Sequence, residues 1–146
     1  MTFKVLHIAA VVLDTNVVLD WLVFRNPHCT PLARAIEEGR LRWLVTEPIR
    51  DELAHVLSRG VVDAWAPDQV QIWESWHRLS EIVQLPVVTG DASRLRCTDP
   101  DDQKFIELAL CSAQWLISRD RAVLKLARRA QRLGVRVTTP ERWSAE

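Results

Sequence analysis

An unbroken apolar run near the start of the chain constrains the fold more than any other feature of the sequence. Every residue from Ile8 to Leu13 is apolar, several are β-branched, and the run ends abruptly at Asp14. A strand with no polar side chain on either face must be buried on both, which is typical of parallel sheets covered by helices. The sequence therefore predicts an α/β fold in which Asp14 lies just beyond the end of a buried strand.

Strand-like and helix-like segments alternate along the rest of the chain. Further short apolar strands are predicted at residues 41–45, 82–85, 115–118 and 135–137. Helical spacing of apolar residues, with capping and stop signals, predicts helices at 31–38, 46–60, 67–79, 98–110 and 121–132. This alternation favours a largely parallel sheet of about five strands. Without a repeat or linker, one domain covering residues 1–146 is the simplest interpretation.

The composition excludes several function classes. Lys plus Arg (19) equals Asp plus Glu (19), so nucleic-acid or membrane binding would require local segregation of charge. The three cysteines, Cys29, Cys97 and Cys111, form no C-x-x-C pair, which argues against a disulfide framework and a zinc site and favours a reducing cytoplasm. No segment approaches the roughly 18 apolar residues of a spanning helix, and no signal peptide is recognisable, so a membrane protein is not expected.

Acidic side chains follow two of the predicted strands and open one predicted helix. Asp14 and Asp120 come close behind strands, where a single acid is usually explained by turn or capping chemistry. Asp99, Asp101 and Asp102 stand within four residues, which is more than complementing a helix dipole requires. Carboxylates this close repel one another unless a cation neutralises them.

We expect an oxygen-rich pocket at one end of the sheet, formed by four acids: Asp14, Glu52, Asp102 and Asp120. Mg²⁺ and Mn²⁺ prefer carboxylate and water ligands. Because no Cys or His stands at these positions, zinc is disfavoured. Glu52 alone, in the second turn of its helix, would be an ordinary solvated charge.

The sequence resembles the PIN domain family, especially the subgroup of toxins from prokaryotic toxin–antitoxin systems. The resemblance covers nearly the whole chain and is strongest over residues 11–17, 48–53, 98–105 and 116–121. It implies a three-layer α/β/α sandwich and an acidic quartet at Asp14, Glu52, Asp102 and Asp120, with Asp99 as an additional or alternative metal ligand. Asn16 and Ser118 would hold the carboxylates by hydrogen bonds.

The resemblance also implies an activity and partners. Members of the family typically cleave single-stranded RNA with Mg²⁺ or Mn²⁺, and the subgroup implies a cognate antitoxin and a homodimer. The sequence departs from the subgroup at Arg119, where Gly is frequent, and at Gln103, where Asn is frequent. Neither change removes a ligand. Arg119 either pairs with a carboxylate or contacts a phosphate.

Basic residues for RNA contacts are available beside Asp120. Arg121, Lys125 and Arg128 recur at helical spacing and could follow a phosphate backbone, although a solvated outer helix face explains them equally well. A base-stacking role for Trp73 and Trp76 is less favoured than packing in the core or at a homodimer interface, because their spacing matches neighbouring apolar residues.

Two other functions are compatible with the sequence. The first is a PIN-fold module that has lost catalysis and binds RNA or protein, against which the intact acidic quartet counts. The second is a phospho-acceptor or phosphoryl-transfer protein that uses Asp14. Such a site would usually have a second acid two residues further on, and Asn16 stands there.

Overall fold

Five short parallel strands form the central sheet of the protein, in a computed structural model that describes residues 8–60 and 62–144. The strands are β1 (Ala10–Leu13), β2 (Arg42–Val45), β3 (Ser80–Ile82), β4 (Trp115–Ile117) and β5 (Arg136–Thr138). Their order across the sheet is β3-β2-β1-β4-β5, and each neighbouring pair is parallel. The predicted parallel sheet is therefore confirmed. The prediction of one domain over residues 1–146 extends beyond the described residues.

Helices cover both faces of this sheet. They are α1 (Thr15–Leu22), α2 (Thr30–Glu37), α3 (Glu47–Ser58), α4 (Gln69–Leu79), α5 (Gln103–Ser112), α6 (Arg121–Leu124) and α7 (Ala127–Arg132). Successive side chains of a strand point to opposite faces, and all four residues of β1 are buried, so both faces are covered. The α/β/α layering is confirmed. No helix within these two ranges combines the length and apolar character needed to cross a bilayer.

The aromatic side chains pack mainly in the core. Trp43 on β2 is 1% exposed, and its ring lies 5.3 Å from that of Trp21 and 5.0 Å from that of Trp76. Trp73 packs edge-on against Trp76. The packing role predicted for the tryptophans of α4 is thus confirmed for Trp76, which is buried, and Trp73 contacts the same cluster.

The strand order places a crevice beside β1. The chain runs from β1 to β2 on one side, and later adds β4 on the other, so the direction of winding reverses between β1 and β4. Ligands in open α/β sheets bind beyond the carboxyl ends of strands at such a reversal. The register pairs Leu13 with Ile117, so the segments that follow these two strands begin side by side.

Helix α1 is absent from the sequence-based prediction. Its Val17, Val18 and Leu19 look like a continuation of the preceding strand, yet all three are buried on a helix. The Asp14 side chain accepts a hydrogen bond from the Asn16 N–H and so caps this helix. A capping acid directly after the strand is the signal that could have predicted α1.

Two other elements differ from the prediction. The third strand lies at Ser80–Ile82 rather than 82–85, because it pairs with the short β2 and follows α4 directly. The helix predicted at 121–132 is interrupted: the Leu126 N–H bonds to the Val123 carbonyl, three residues back, at 3.0 Å. This tighter turn keeps both Val123 and Leu126 buried.

Candidate active site

Asp14 is the innermost acid at the carboxyl end of the sheet. It follows β1 directly and is only 3% exposed. Its Oδ2 accepts a hydrogen bond from Ser118 Oγ at 2.7 Å, and its Oδ1 accepts one from the Asn16 N–H at 3.3 Å. Burial raises the pKa of Asp14 despite these two hydrogen bonds, and the charges of Glu52 and Asp120 raise it further. The carboxylate is held in one orientation among other acids.

Ser118 links the acids that follow the two central strands. It is fully buried, and while its hydroxyl donates to Asp14, its Oγ accepts a hydrogen bond from the Asp120 N–H at 3.0 Å. The Asp120 side chain then caps α6 by accepting from the Ala122 N–H at 2.8 Å. One hydroxyl therefore ties the position of Asp120 to that of Asp14.

Asp120 also forms a cluster with two further acids. One carboxylate oxygen from each of Asp99, Asp102 and Asp120 lies within 4.8 Å of the other two. Asp102, at the N terminus of α5, is 8% exposed, and its Oδ2 has no hydrogen-bond partner. Helix α5 packs against β1, which brings these acids to the crevice. A buried carboxylate oxygen without a donor is costly unless a proton or a cation is supplied.

The electrostatics of Asp102 reflect this crowding. Its pKa is raised to about 7, first by burial, then by the charge of Asp14 and by a hydrogen bond with Asp120 that stabilises the protonated form. The charges of Asp120 and Asp99 add to the effect. A cation bound here would compete with the proton on Asp102.

The donor set fits a hard divalent cation. Carboxylate oxygens are the ligands that Mg²⁺ and Mn²⁺ prefer, and the unpartnered Oδ2 of Asp102 is an available donor. Burial and the charges of the same acids raise the pKa of the Cys97 thiol. The cluster itself offers only carboxylate oxygens, one from each of its three acids.

Glu52 lies beside the cluster rather than in it. Its Oε1 accepts a hydrogen bond from Lys104 Nζ at 2.8 Å, and its Oε2 accepts one from the Thr15 hydroxyl at the start of α1. Its charge still contributes to the raised pKa of Asp14. Lys104 is not among the predicted site residues, because nothing in its spacing indicates a partner fifty-two residues away.

The other predicted site residues lie in different surroundings. The Asn16 backbone bonds to Asp14, but its side chain is exposed. Arg121, Lys125 and Arg128 are exposed, which agrees with either a solvated helix face or contacts with RNA. Gln103 bridges α5 to the preceding segment, accepting from the Cys97 N–H at 2.7 Å.

Arg119 is engaged within the protein. Its Nε donates to an Asp20 carboxylate oxygen, and its Nη2 lies 3.1 Å from Glu141 Oε2. The sequence left a carboxylate partner and a phosphate contact as alternatives for Arg119. The structure has the carboxylate pairing, which leaves the predicted RNA contact of Arg119 without support.

A comparison with protein families agrees with this geometry. Residues 10–122 match the PIN domain, a span that includes β1, β4 and the acids Asp14, Glu52, Asp99, Asp102 and Asp120. No curated protein matches the sequence. Because the match covers more than half of the sequence, the chain belongs to the PIN domain family, a nuclease fold.

Proposed function

We propose that the protein is a metal-dependent endoribonuclease that cleaves phosphodiester bonds of single-stranded RNA with Mg²⁺ or Mn²⁺. The observation that carries this proposal is the cluster of Asp99, Asp102 and Asp120, whose carboxylate oxygens lie within 4.8 Å of one another. Asp102 adds a buried oxygen with no donor. Asp14, which accepts a hydrogen bond from Ser118, lies close enough for its charge to raise the pKa of Asp102. These are the features that a divalent-cation site in a nuclease fold requires.

Asp99, Asp102 and Asp120 would hold the ion, with Asp14 as the remaining ligand. A bound divalent ion supplies a coordinated water of lowered pKa and offsets the charge that develops on the phosphate. Asp120 or Asp102 would also accept the proton that this water loses. Ser118 keeps Asp14 and Asp120 in fixed relative positions through its two hydrogen bonds.

Glu52 would contribute to catalysis through its charge and its contacts. Its ion pair with Lys104 and its hydrogen bond with Thr15 hold it next to the N terminus of α1, which Asp14 caps. A negative charge at this place raises the proton affinity of Asp14. It thereby favours cation binding over an empty site.

Exposed basic residues beside Asp120 would neutralise the RNA backbone. The three exposed cations lie on α6 (Arg121), in the turn after it (Lys125) and on α7 (Arg128). On a single strand, each phosphate contact contributes about 0.7 to the slope of the logarithm of the binding constant against the logarithm of the salt concentration. Replacing any one of the three by Gln should lower this dependence by about that amount and weaken binding to all RNA sequences alike.

The decisive experiment is cleavage of a mixed-sequence single-stranded RNA by the purified protein with Mn²⁺, Mg²⁺ or EDTA. Cleavage should require the metal, and Asp14→Asn, Asp102→Asn and Asp120→Asn should each abolish it in a protein that remains folded. Asp101→Asn is the matched control, because Asp101 is an exposed acid beside the cluster but outside it. Full activity in the three site variants would contradict the mechanism.

The toxin role, an antitoxin partner, a homodimer and a cytoplasmic location are proposed from the resemblance of the four sequence segments to the toxin subgroup. Production of the wild type in a bacterial host should arrest growth, whereas Asp120→Asn should not. A gene for a small protein beside this one, whose product relieves the arrest, is the expected antitoxin. Sedimentation of the purified protein tests the dimer.

The competing function is a PIN-fold module that binds RNA without cleaving it. This function predicts RNA binding that is unaffected by EDTA and by Asp102→Asn. Metal-dependent cleavage that is lost in Asp102→Asn excludes it.

A further inference from the structure

The Arg119 side chain joins three segments of the protein beside the acidic cluster. It contacts Asp20 on α1 and Glu141 in the short helical turn at Pro140–Arg142. The Arg119 side chain is 32% exposed and that of Asp20 is 16% exposed, so water screens their charges less than those of a surface ion pair. Glu141 lies outside the part of the chain that matches the PIN domain.

Arg119 is the residue between Ser118 and Asp120, both of which belong to the site. The 118–120 segment is therefore joined to the capping residue of α1, through Ser118 to Asp14, and to α1 itself, through Arg119 to Asp20. Asp14 and Asp20 are six residues apart, which corresponds to about 9 Å along a helix. Two attachments at this separation fix the orientation of the segment against α1 as well as its distance from it.

We propose that Arg119 is a positioning residue whose ion pairs with Asp20 and Glu141 lock the 118–120 segment against α1 and so set the spacing of the metal-binding carboxylates. Its part in metal binding rests on the proposed function. Its part in ordering the segment does not. Without the two ion pairs, Ser118 still bonds through its N–H to the Thr138 carbonyl, at 3.0 Å. The chain beyond it, from Arg119 to Asp120, loses the side-chain contacts that orient it against α1.

Amide hydrogen exchange of the metal-free protein tests the ordering directly. The Asp120 and Ala122 N–H groups donate to Ser118 Oγ and Asp120 Oδ1, so they report on this segment. In Asp20→Asn and Arg119→Gln they should exchange about tenfold faster, because local opening becomes easier while the sheet stays closed. Amides of β1 and β4 should exchange as in the wild type, which separates local release from global unfolding.

Mn²⁺ affinity, measured by electron paramagnetic resonance, tests the consequence for the site. Removing a group that orients metal ligands typically costs about 10- to 100-fold in affinity, so Asp20→Asn and Arg119→Gln should fall in that range. Because Arg119→Gln already removes the contact that Asp20→Asn breaks, the double variant should lose no more than Arg119→Gln alone. Arg119→Lys should recover part of the loss, since a lysine can still pair with Asp20.

Arg42→Gln is the matched control. It removes one arginine and breaks the exposed Arg42–Glu81 ion pair, at the end of β2 away from the site, and should change neither readout. The proposal is overturned if Arg119→Gln leaves both the exchange of Asp120 and Ala122 and the Mn²⁺ affinity within about twofold of the wild type, well below the effect expected for ligand orientation. Equal losses in the Arg42 variant also overturn it. If the wild type binds no Mn²⁺, the proposed function fails, whereas the exchange experiment still decides the role of Arg119.

Discussion

Replacing Asp102 by asparagine should stabilise the metal-free protein at neutral pH. The folded protein raises the pKa of this buried carboxyl to about 7, whereas an unfolded chain has an aspartate pKa of about 3.9. Between these two pKa values only the folded state holds the proton, and proton binding then stabilises the fold. This contribution to the free energy of unfolding is fully present below about pH 4. It is lost as the pH rises through 7. One pKa unit corresponds to about 1.4 kcal/mol, so the loss between pH 5 and pH 8 is about 2–3 kcal/mol.

Urea unfolding in EDTA at several pH values between 5 and 8 measures this effect. The Asn side chain does not titrate, and no capping hydrogen bond is lost, because Asp102 makes none at the start of α5. The stability of Asp102→Asn relative to the wild type should therefore increase by about 2–3 kcal/mol from pH 5 to pH 8. Asp101→Asn should follow the wild type. Parallel curves for the wild type and Asp102→Asn would refute the account of this site. Mn²⁺ at pH 8 should stabilise the wild type and leave Asp102→Asn unchanged.

Three further substitutions test separate parts of the structure. Ser118→Ala leaves a buried Asp14 oxygen without its hydrogen-bond donor. The free energy of unfolding in EDTA should fall by about 1–3 kcal/mol, and Mn²⁺ affinity should fall as well. Unchanged values would contradict the role of Ser118 in linking Asp14 to Asp120. Phe105→Ala removes a fully buried ring on α5, and the same assay should give a loss of about 3–5 kcal/mol; a loss below 1 kcal/mol would contradict its core position. Lys104→Met breaks the ion pair with Glu52 and should lower the rate of RNA cleavage with little change in the melting temperature. Cleavage kinetics and thermal melting measure the two effects. An unchanged rate would show that the Glu52–Lys104 pair has no part in the mechanism.

The parts of the fold that the sequence predicts correctly are those with local signals. The buried strand at residues 10–13 is continuous and apolar, so it can only lie in the middle of a covered sheet. Asp102 lies at the start of a helix and Asp120 follows a strand. Helix starts and strand ends meet at one edge of a parallel sheet, so the two acids are expected to lie together, as they do.

The remaining features depend on tertiary partners. Glu52 pairs with Lys104 and Arg119 pairs with Asp20, ninety-nine residues away, and no periodicity in one sequence reports such distances. The position of β3 is set by its pairing with β2 rather than by the apolar residues of 82–85. Ile82 and Leu85 are in fact exposed. A prediction based on hydrophobicity therefore puts this edge strand at the wrong residues.

The most direct test of the central claim is a crystal structure of the protein soaked in Mn²⁺, with anomalous diffraction measured above the manganese absorption edge. The account predicts an anomalous peak within metal–oxygen bonding distance of the Asp102 and Asp120 carboxylates, and no such peak in Asp102→Asn. A soaked wild-type crystal with no peak between these side chains, or with manganese bound only elsewhere, would contradict it.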